Sequence, residues 1–265
     1  MSKITVNGID LYYELHGQVE KPVLVLNNGI IMNAASSWVF QTETLRRHYC
    51  VVLYDCRGQG QSDHPQDAYS MELHADDLVA LIAALGIESA HIAGISYGGE
   101  VAQAFALKYP ARVRSLILAD TVSEVGPALQ TIVQSWLEAA RDGDAQSFFD
   151  VTVPWNFSAQ FIASNPGLLK DARKRYDSLD YPAIVRLCEC FLEVDFTARL
   201  GEIHAPTCIM VGALDLLKGP DYAAILKQHI SQAEYHILAG AGHASCWERP
   251  QEFNSVILGF LAKNS

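Results

Sequence analysis

The chain has 265 residues, of which 50% are hydrophobic, and it carries a formal net charge of −11. This length suits one large α/β domain, which would bury roughly 70–75% of the surface of its unfolded chain. The acidic charge repels phosphate backbones and anionic lipid surfaces, so nucleic acid is excluded as an expected partner.

The N-terminal residues predict two antiparallel strands. Residues 4–6 and 9–14 lie on either side of Asn7-Gly8, and an Asn-Gly pair between alternating apolar residues is the strongest short-range signal of a hairpin. Six later runs are apolar at nearly every position, which is typical of a parallel sheet covered on both faces. These runs are residues 23–26, 51–54, 91–94, 116–119, 208–211 and 235–238.

Helical patterns separate these runs and are long enough for right-handed crossovers. They lie near residues 35–47, 71–86, 97–109, 219–231 and 250–263. The alternation predicts an α/β fold, with a mostly parallel, doubly wound sheet of eight strands and an antiparallel N-terminal edge. In such sheets, ligands bind beyond the carboxyl ends of the strands.

The alternation stops between Asp120 and Ala205, where residues 127–141, 145–150 and 168–193 have helical patterns. We interpret residues 121–204 as a helical cap, inserted into a core domain formed by residues 1–120 and 205–265. The insertion is rich in aromatic residues, which on a cap would line an apolar pocket. The expected pocket residues are Trp136, Trp155 and Phe157.

A serine lies between two glycines in Gly94-Ile95-Ser96-Tyr97-Gly98, after an apolar run and before a helical pattern. A strand that turns directly into a helix brings two backbones close together, and side chains at the flanking positions would clash. The spacing therefore predicts a nucleophile elbow that presents the Ser96 hydroxyl at the edge of the sheet.

The elbow predicts two partners for Ser96. A serine hydroxyl is a weak nucleophile at neutral pH, so it needs an imidazole to accept its proton and a carboxylate to orient that imidazole. Asp215 follows the strand predicted at residues 208–211, and His243 follows the next strand in a glycine-rich turn. Ser96, Asp215 and His243 are therefore the predicted catalytic residues.

Other residues compete for two of these roles. Asp120 ends the strand before the insertion and is the rival of Asp215. His64 and His204 flank loops and are weaker rivals of His243. Three more histidines lie on predicted strands and a predicted helix, and we interpret them as packed or solvated: His91, His229 and His236.

Acyl transfer also requires two hydrogen-bond donors for the negative charge that develops on the carbonyl oxygen. One donor normally comes from the residue after the nucleophile, and the other from the loop after the third strand. The backbone N–H groups of Tyr97 and Ile30 occupy these positions. They form the predicted oxyanion hole.

Taken together, these features resemble the α/β-hydrolase superfamily over essentially the whole chain. The matching features are the Asn-Gly hairpin, the turn at residues 55–62, the elbow, Asp215 and the Gly-x-Gly-His loop. The pattern is most similar to small esterases and 3-oxoadipate enol-lactonases. One departure is Asn28-Gly29, since most of the superfamily has His-Gly in the oxyanion loop.

The resemblance implies a serine hydrolase that cleaves carboxylic esters or lactones through an acyl-enzyme intermediate. An acyltransferase or a thioesterase would use the same three catalytic residues, and the string at residues 28–32 is also similar to acyltransferases. Some relatives work instead as non-enzymatic small-ligand receptors. Fold alone does not separate these functions.

The sequence predicts no cofactor and no metal, because close ligand clusters and a phosphate-binding loop are lacking. The expected partner is a small-molecule ester, lactone or thioester, and the oligomeric state is not readable. No apolar run approaches the roughly 20 residues of a membrane span, and no signal peptide is visible, so we expect a cytoplasmic protein. The six cysteines show no Cys-x-x-Cys pair, which predicts free buried thiols.

Overall fold

Eight strands form a single sheet in the computed structural model, which describes residues 2–264. The strands are β1 (Ser2–Val6), β2 (Ile9–His16), β3 (Val23–Asn27), β4 (Cys50–Tyr54), β5 (Ala90–Ile95), β6 (Val113–Ala119), β7 (Thr207–Gly212) and β8 (Glu234–Leu238). Their spatial order is β1-β2-β4-β3-β5-β6-β7-β8. The pairs β1–β2 and β2–β4 are antiparallel and the other pairs are parallel, which confirms the predicted fold class.

Twelve α-helices accompany this sheet in residues 2–264. They are α1 (Ala34–Ser37), α2 (Thr42–Leu45), α3 (Met71–Ala84), α4 (Tyr97–Lys108), α5 (Pro127–Asp142), α6 (Ala145–Asn156), α7 (Ala159–Ser164), α8 (Pro166–Tyr176), α9 (Tyr181–Leu192), α10 (Pro220–His229), α11 (Ser245–Glu248) and α12 (Pro250–Lys263). Two short 3₁₀ helices occupy Pro110–Arg112 and Thr197–Glu202.

Alternate residues of the central strands enter two separate apolar layers, because successive side chains of a strand point to opposite faces. In β3, Leu24 and Leu26 pack with Phe253 of α12, whereas Val25 packs with Leu78 of α3. All five of these side chains are fully buried. This is why the strands have continuous apolar runs rather than an alternating pattern.

The segment predicted as one helix at residues 35–47 forms the two short helices α1 and α2. Trp38 leaves helical geometry between them, with φ −116° and ψ 22°, and its ring is completely buried beside Phe253. Burial of this large ring outweighs the intrinsic helix preference of the segment.

The segment predicted as one helix at residues 168–193 also forms two helices, α8 and α9, because Asp180 leaves helical geometry and its side chain accepts the Ala183 N–H at the start of α9. The sequence analysis did not predict α7, and α6 extends six residues beyond its predicted end at residue 150. The bounds of the other helices differ by one or two residues at their ends.

Five helices, α5 to α9, occupy the chain between β6 and β7. The chain leaves and re-enters the core through an antiparallel bridge between Glu124 and Asp195. Beside it, the Phe196 N–H donates to the Ser123 carbonyl at 2.7 Å. The two connections therefore lie side by side at the carboxyl end of the sheet, next to the elbow.

The cysteine prediction is confirmed, since all six cysteines are buried and free. Within residues 2–264, no helix is both long enough and apolar enough to cross a bilayer.

Candidate active site

Ser96 lies in the sharp turn between β5 and α4, with a positive φ of 53°. The two flanking glycines are required by close backbone approach. A Cβ atom on Gly94 would overlap the Gly98 carbonyl, and one on Gly98 would overlap the carbonyl of Asn27 at the end of β3. A non-glycine residue at φ near 50° is strained, and such strain is concentrated at functional sites.

His243 and Asp215 reach Ser96 from the loops after β8 and β7. The His243 Nε2 atom lies 2.9 Å from Ser96 Oγ, and the Nδ1 atom of the same ring lies 2.8 Å from Asp215 Oδ2. The other carboxylate oxygen, Oδ1, accepts the backbone N–H groups of Leu217 and Lys218 at 2.8 and 2.9 Å. These two bonds fix the carboxylate, which in turn fixes the orientation of the imidazole ring.

Three buried titratable groups, Asp120, Asp215 and His243, shift one another's pKa values through their charges. Burial lowers the pKa of His243, but Asp215 and Asp120 raise it by more, so the net pKa lies above the usual 6.5. Burial raises the pKa of Asp215, whereas His243 and the two backbone donors lower it by more, so its net pKa lies below 3.8. Asp215 is therefore the ionised partner of His243 at neutral pH.

Asp120, the rival carboxylate, does not contact the ring. Its oxygens accept the Gly212 backbone N–H at 2.9 Å and the Ser245 hydroxyl at 2.5 Å. Burial, and then the charge of Asp215, raise the pKa of Asp120 to about 7. Asp120 thus raises the pKa of His243 through its charge, and its hydrogen bonds join the end of β7 to the start of α11.

The rival histidines lie elsewhere. The Nδ1 atom of His64 lies 2.6 Å from Asp180 Oδ2 at the start of α9, and His204 is exposed before β7. His91 is buried in β5, with its Nδ1 atom 2.8 Å from Ser115 Oγ. His91 is therefore a packed side chain, and neither His64 nor His204 lines the cavity that contains Ser96.

The loop after β3 presents a free backbone N–H beside Ser96. Within residues 2–264, the N–H of Ile30 has no hydrogen-bond acceptor, whereas the N–H of Gly29 donates to Ser37 Oγ at 3.2 Å. Tyr97 is the first residue of α4, so its N–H precedes the first intrahelical bond. Ile30, Ser96 and Tyr97 line one small cavity together.

The side chains of Asn28 and Gln59 hold this loop, and the sequence analysis did not single out Gln59. Asn28 takes the place of the usual histidine, and its Nδ2 donates to the Tyr54 carbonyl at 2.7 Å. Gln59 Nε2 donates to the carbonyls of Gly29 and Ile30 at 3.0 and 3.3 Å. Because both carbonyls are held from one side, the peptide groups of the loop have a fixed direction.

A larger cavity of about 100 Å³ opens above Ser96 and His243. Trp136 of α5 and Phe157, which follows α6, line it. Trp155 does not line this cavity and packs against the hydrophobic core instead. Val153 and Asn156 line the cavity from one face of α6, three positions apart, and Phe157 follows the end of the helix. Trp155 lies off that face.

A buried ion pair next to the elbow was also missed by the sequence analysis. Lys218 Nζ lies 2.9 Å from both carboxylate oxygens of Glu100 in α4, and Glu100 also accepts the Val122 N–H at 3.0 Å. The only sequence signal is an acidic residue inside the apolar helix after the elbow. The pair joins α4 to the loop that carries Asp215.

Comparison with known proteins finds similarity over nearly the whole chain. The family described as alpha/beta hydrolase fold matches residues 22–250. The chain is 28% identical over 258 residues to 3-oxoadipate enol-lactonase 2 of Acinetobacter baylyi, covering 96% of this chain and 94% of that protein.

Two solved structures are similar over nearly their full length. An alpha/beta hydrolase enzyme from a Medee basin deep-sea metagenome library has a TM-score of 0.93 at 30% identity, with 98% of this chain and 97% of that chain covered. The enol-lactonase from Burkholderia xenovorans has a TM-score of 0.92 at 28% identity, with 98% and 100% covered.

Proposed function

Since this chain belongs to the α/β-hydrolase family and is similar to an enol-lactonase, we propose that it is a serine hydrolase of carboxylic esters or lactones. One observation carries the proposal. A continuous hydrogen-bonded path runs from the Ser96 hydroxyl through both ring nitrogens of His243 to Asp215, with distances of 2.9 and 2.8 Å. This is the arrangement that turns a serine hydroxyl into a nucleophile.

In the proposed reaction, Ser96 Oγ attacks the carbonyl carbon of the substrate while His243 accepts the hydroxyl proton. Asp215 holds the ring and stabilises the imidazolium that forms. The oxygen of the tetrahedral intermediate accepts hydrogen bonds from the N–H groups of Ile30 and Tyr97. His243 then gives its proton to the leaving alcohol, and Ser96 retains the acyl group.

Water then hydrolyses the acyl-enzyme, with His243 again accepting and returning the proton. His243 removes a proton from a water molecule, the hydroxide attacks the acyl carbonyl, and the bond to Ser96 Oγ breaks as the hydroxyl regains its proton. The alcohol and the acid leave separately from an ester and as one open-chain molecule from a lactone. The similarity to enol-lactonases supports including lactones among the substrates.

We propose further that residues 121–204 form a cap that restricts access to this site. The support is that the helices between β6 and β7 contribute Trp136, Phe157 and Leu168 to the cavity over Ser96, while the core contributes the reacting groups. An apolar cavity excludes water from the acyl group and strengthens the hydrogen bonds at the carbonyl oxygen.

The direct test is hydrolysis of a panel of neutral esters, lactones and thioesters by the wild type and by Ser96→Ala. We expect turnover of at least one class and a loss of roughly 10⁴-fold or more in the variant, as for removal of other serine nucleophiles. Ser255→Ala, which changes an exposed serine on α12, is the matched control and should leave the rate unchanged. Equal rates in Ser96→Ala and the wild type would refute the proposal.

A further inference from the structure

The residue after His243 is bonded to the chain that connects α6 to α7. The Ala244 N–H donates to the Asn156 carbonyl at 2.9 Å. Asn156 is the last residue of α6, and α7 begins at residue 159. We call residues 156–158 the α6–α7 segment. A backbone hydrogen bond therefore ties this part of the proposed cap to the loop that carries the proposed catalytic base.

The residue before His243 touches the same segment. A Cβ atom on Gly242 would lie 2.5 Å from the Ser158 nitrogen and 2.9 Å from the carbonyl carbon of Phe157. Gly242 does not have a positive φ, so close backbone approach explains the glycine at this position. Displacement of the α6–α7 segment would thus remove contacts on both sides of His243.

Glu248, the last residue of α11, holds the α6–α7 segment through Ser158. Its Oε1 atom accepts the Ser158 backbone N–H at 2.9 Å, and its Oε2 atom accepts the Ser158 hydroxyl at 2.5 Å. The Ser158 hydroxyl oxygen also accepts the Phe161 N–H at 3.2 Å in the first turn of α7. Hydrogen bonds to an ionised acceptor are roughly twice as strong as those between neutral groups. Both carboxylate oxygens of Glu248 are therefore used on one residue of the proposed cap.

The helix that carries Glu248 is fixed to the core. α11 begins two residues after His243. Gln41 Nε2 donates to the Cys246 carbonyl at 2.8 Å, and the Ser245 hydroxyl donates to Asp120. The core thus holds α11 near His243, and the end of α11 holds the α6–α7 segment.

We infer that Glu248 is a positioning residue for His243, which holds the α6–α7 segment against both neighbours of the histidine, so that the segment and the His243 loop open and close together. This inference rests on the proposed function, because it concerns the base of the same reaction. Phe157 of the segment also lines the cavity over Ser96. A substrate in that cavity contacts the same unit that positions the base.

The first test is hydrogen exchange of single backbone amides, followed by NMR in the wild type and Glu248→Ala. The Ala244 amide is the reporter, because its acceptor is Asn156 and not the substituted side chain. We expect it to exchange about 10- to 100-fold faster in the variant, since hydrogen bonds to a charged group that hold the segment are lost. The Ser96 amide, bonded to the Ala119 carbonyl at 2.9 Å, should be unchanged.

Three further variants control this measurement. Glu248→Gln should stay within about threefold of the wild type, because its amide oxygen still accepts the Ser158 N–H. Ser158→Ala removes only the hydroxyl donor and should accelerate the Ala244 amide less than Glu248→Ala does. Glu252→Ala removes an exposed carboxylate of α12 and should have no effect. Melting temperatures confirm that each variant is folded.

Two exchange results would overturn the inference. Faster exchange at Ser158 alone, with Ala244 as in the wild type, would show that Glu248 only caps α7. Equal acceleration of the Ser96 amide would show a general loss of stability instead of a local coupling.

The second test is the hydrolysis of a neutral ester. We expect Glu248→Ala to lower kcat by about 10- to 100-fold, because misplacing a catalytic group by about 1 Å can cost about 10²-fold. KM should change less than about threefold, and Glu248→Gln and Glu252→Ala should be close to the wild type. An unchanged kcat in Glu248→Ala, or a loss confined to KM, would overturn the positioning role.

Hydrogen exchange needs no turnover, so this inference and the proposed function fail separately. If the Ala244 amide responds to Glu248→Ala but no ester is hydrolysed, the proposed function fails alone. If Ser96→Ala abolishes ester hydrolysis while Glu248→Ala changes neither kcat nor the Ala244 amide, the positioning role fails alone.

Discussion

The buried pair of Lys218 and Glu100 gives the sharpest prediction about stability. The side chains are 4% and 0% exposed, so solvent screens neither charge. Lys218→Met leaves the Glu100 carboxylate in the core without its cation, although the Thr121 hydroxyl and the Val122 N–H still donate to it. Removing one partner of a buried pair costs about 3–5 kcal/mol of the free energy of unfolding.

For a chain of this size, such a loss corresponds to a decrease of about 6–20 °C in melting temperature. The double variant Lys218→Met/Glu100→Gln should be more stable than Lys218→Met by at least about 1 kcal/mol, because no unpaired charge then remains in the core. Differential scanning calorimetry and urea unfolding measure both values. Lys108→Met is the matched control, because it breaks a half-exposed pair with Asp76 and should cost less than about 1 kcal/mol.

A loss below about 1 kcal/mol in Lys218→Met would refute this reasoning, since it would mean that water reaches Glu100 or that the carboxylate becomes protonated at little cost. A double variant less stable than Lys218→Met would refute it as well. Either result would show that the Lys218–Glu100 ion pair does not stabilise the contact between α4 and the loop that carries Asp215.

The remaining predictions concern the chemistry at Ser96. The kcat/KM for a neutral ester should fall with decreasing pH through a midpoint above 6.5, because only neutral His243 accepts a proton and its net pKa is raised, and a flat profile from pH 5 to 8 would contradict this. Asp120→Asn should move that midpoint to lower pH in the same assay, since the charge of Asp120 raises the pKa of His243, and an upward shift would argue against the coupling. Gly98→Ala should lower kcat by about 10²–10³-fold, because its Cβ atom would overlap the Asn27 carbonyl and displace the loop that carries Ile30. Gly29→Ala is the control, since its Cβ atom would make only ordinary contacts at 3.7 and 4.0 Å, and equal losses in both variants would contradict the steric argument.

Local sterics explain why so much of the site was predictable from the sequence. The turn at Ser96 depends on two glycines within five residues, and their necessity follows from backbone approach alone. The positions of Asp215 and His243 follow from a second rule, that polar residues just after parallel strands meet at one edge of the sheet. Both rules require only short sequence segments and the order of the strands, which can be predicted without tertiary structure.

The residues that could not be predicted depend on distant neighbours. Lys218 is 118 positions from Glu100, and Arg175 is 139 positions from Ser36, so no local pattern indicates either contact. Trp155 is an aromatic residue of the kind expected in an apolar pocket. Its position on α6, one residue before Asn156, places it outside the cavity lining. Similarly, Trp38 ends α1 through burial of its ring, which propensity alone does not show.

Ser96 carries the acyl group in the proposed reaction. The direct measurement is reaction with a fluorophosphonate, followed by intact-protein mass spectrometry and peptide mapping. We predict one adduct for each chain, located on the peptide containing Ser96, with no adduct in Ser96→Ala and much slower labelling in His243→Ala. An adduct on any other residue, or rapid labelling of Ser96→Ala, would contradict the account.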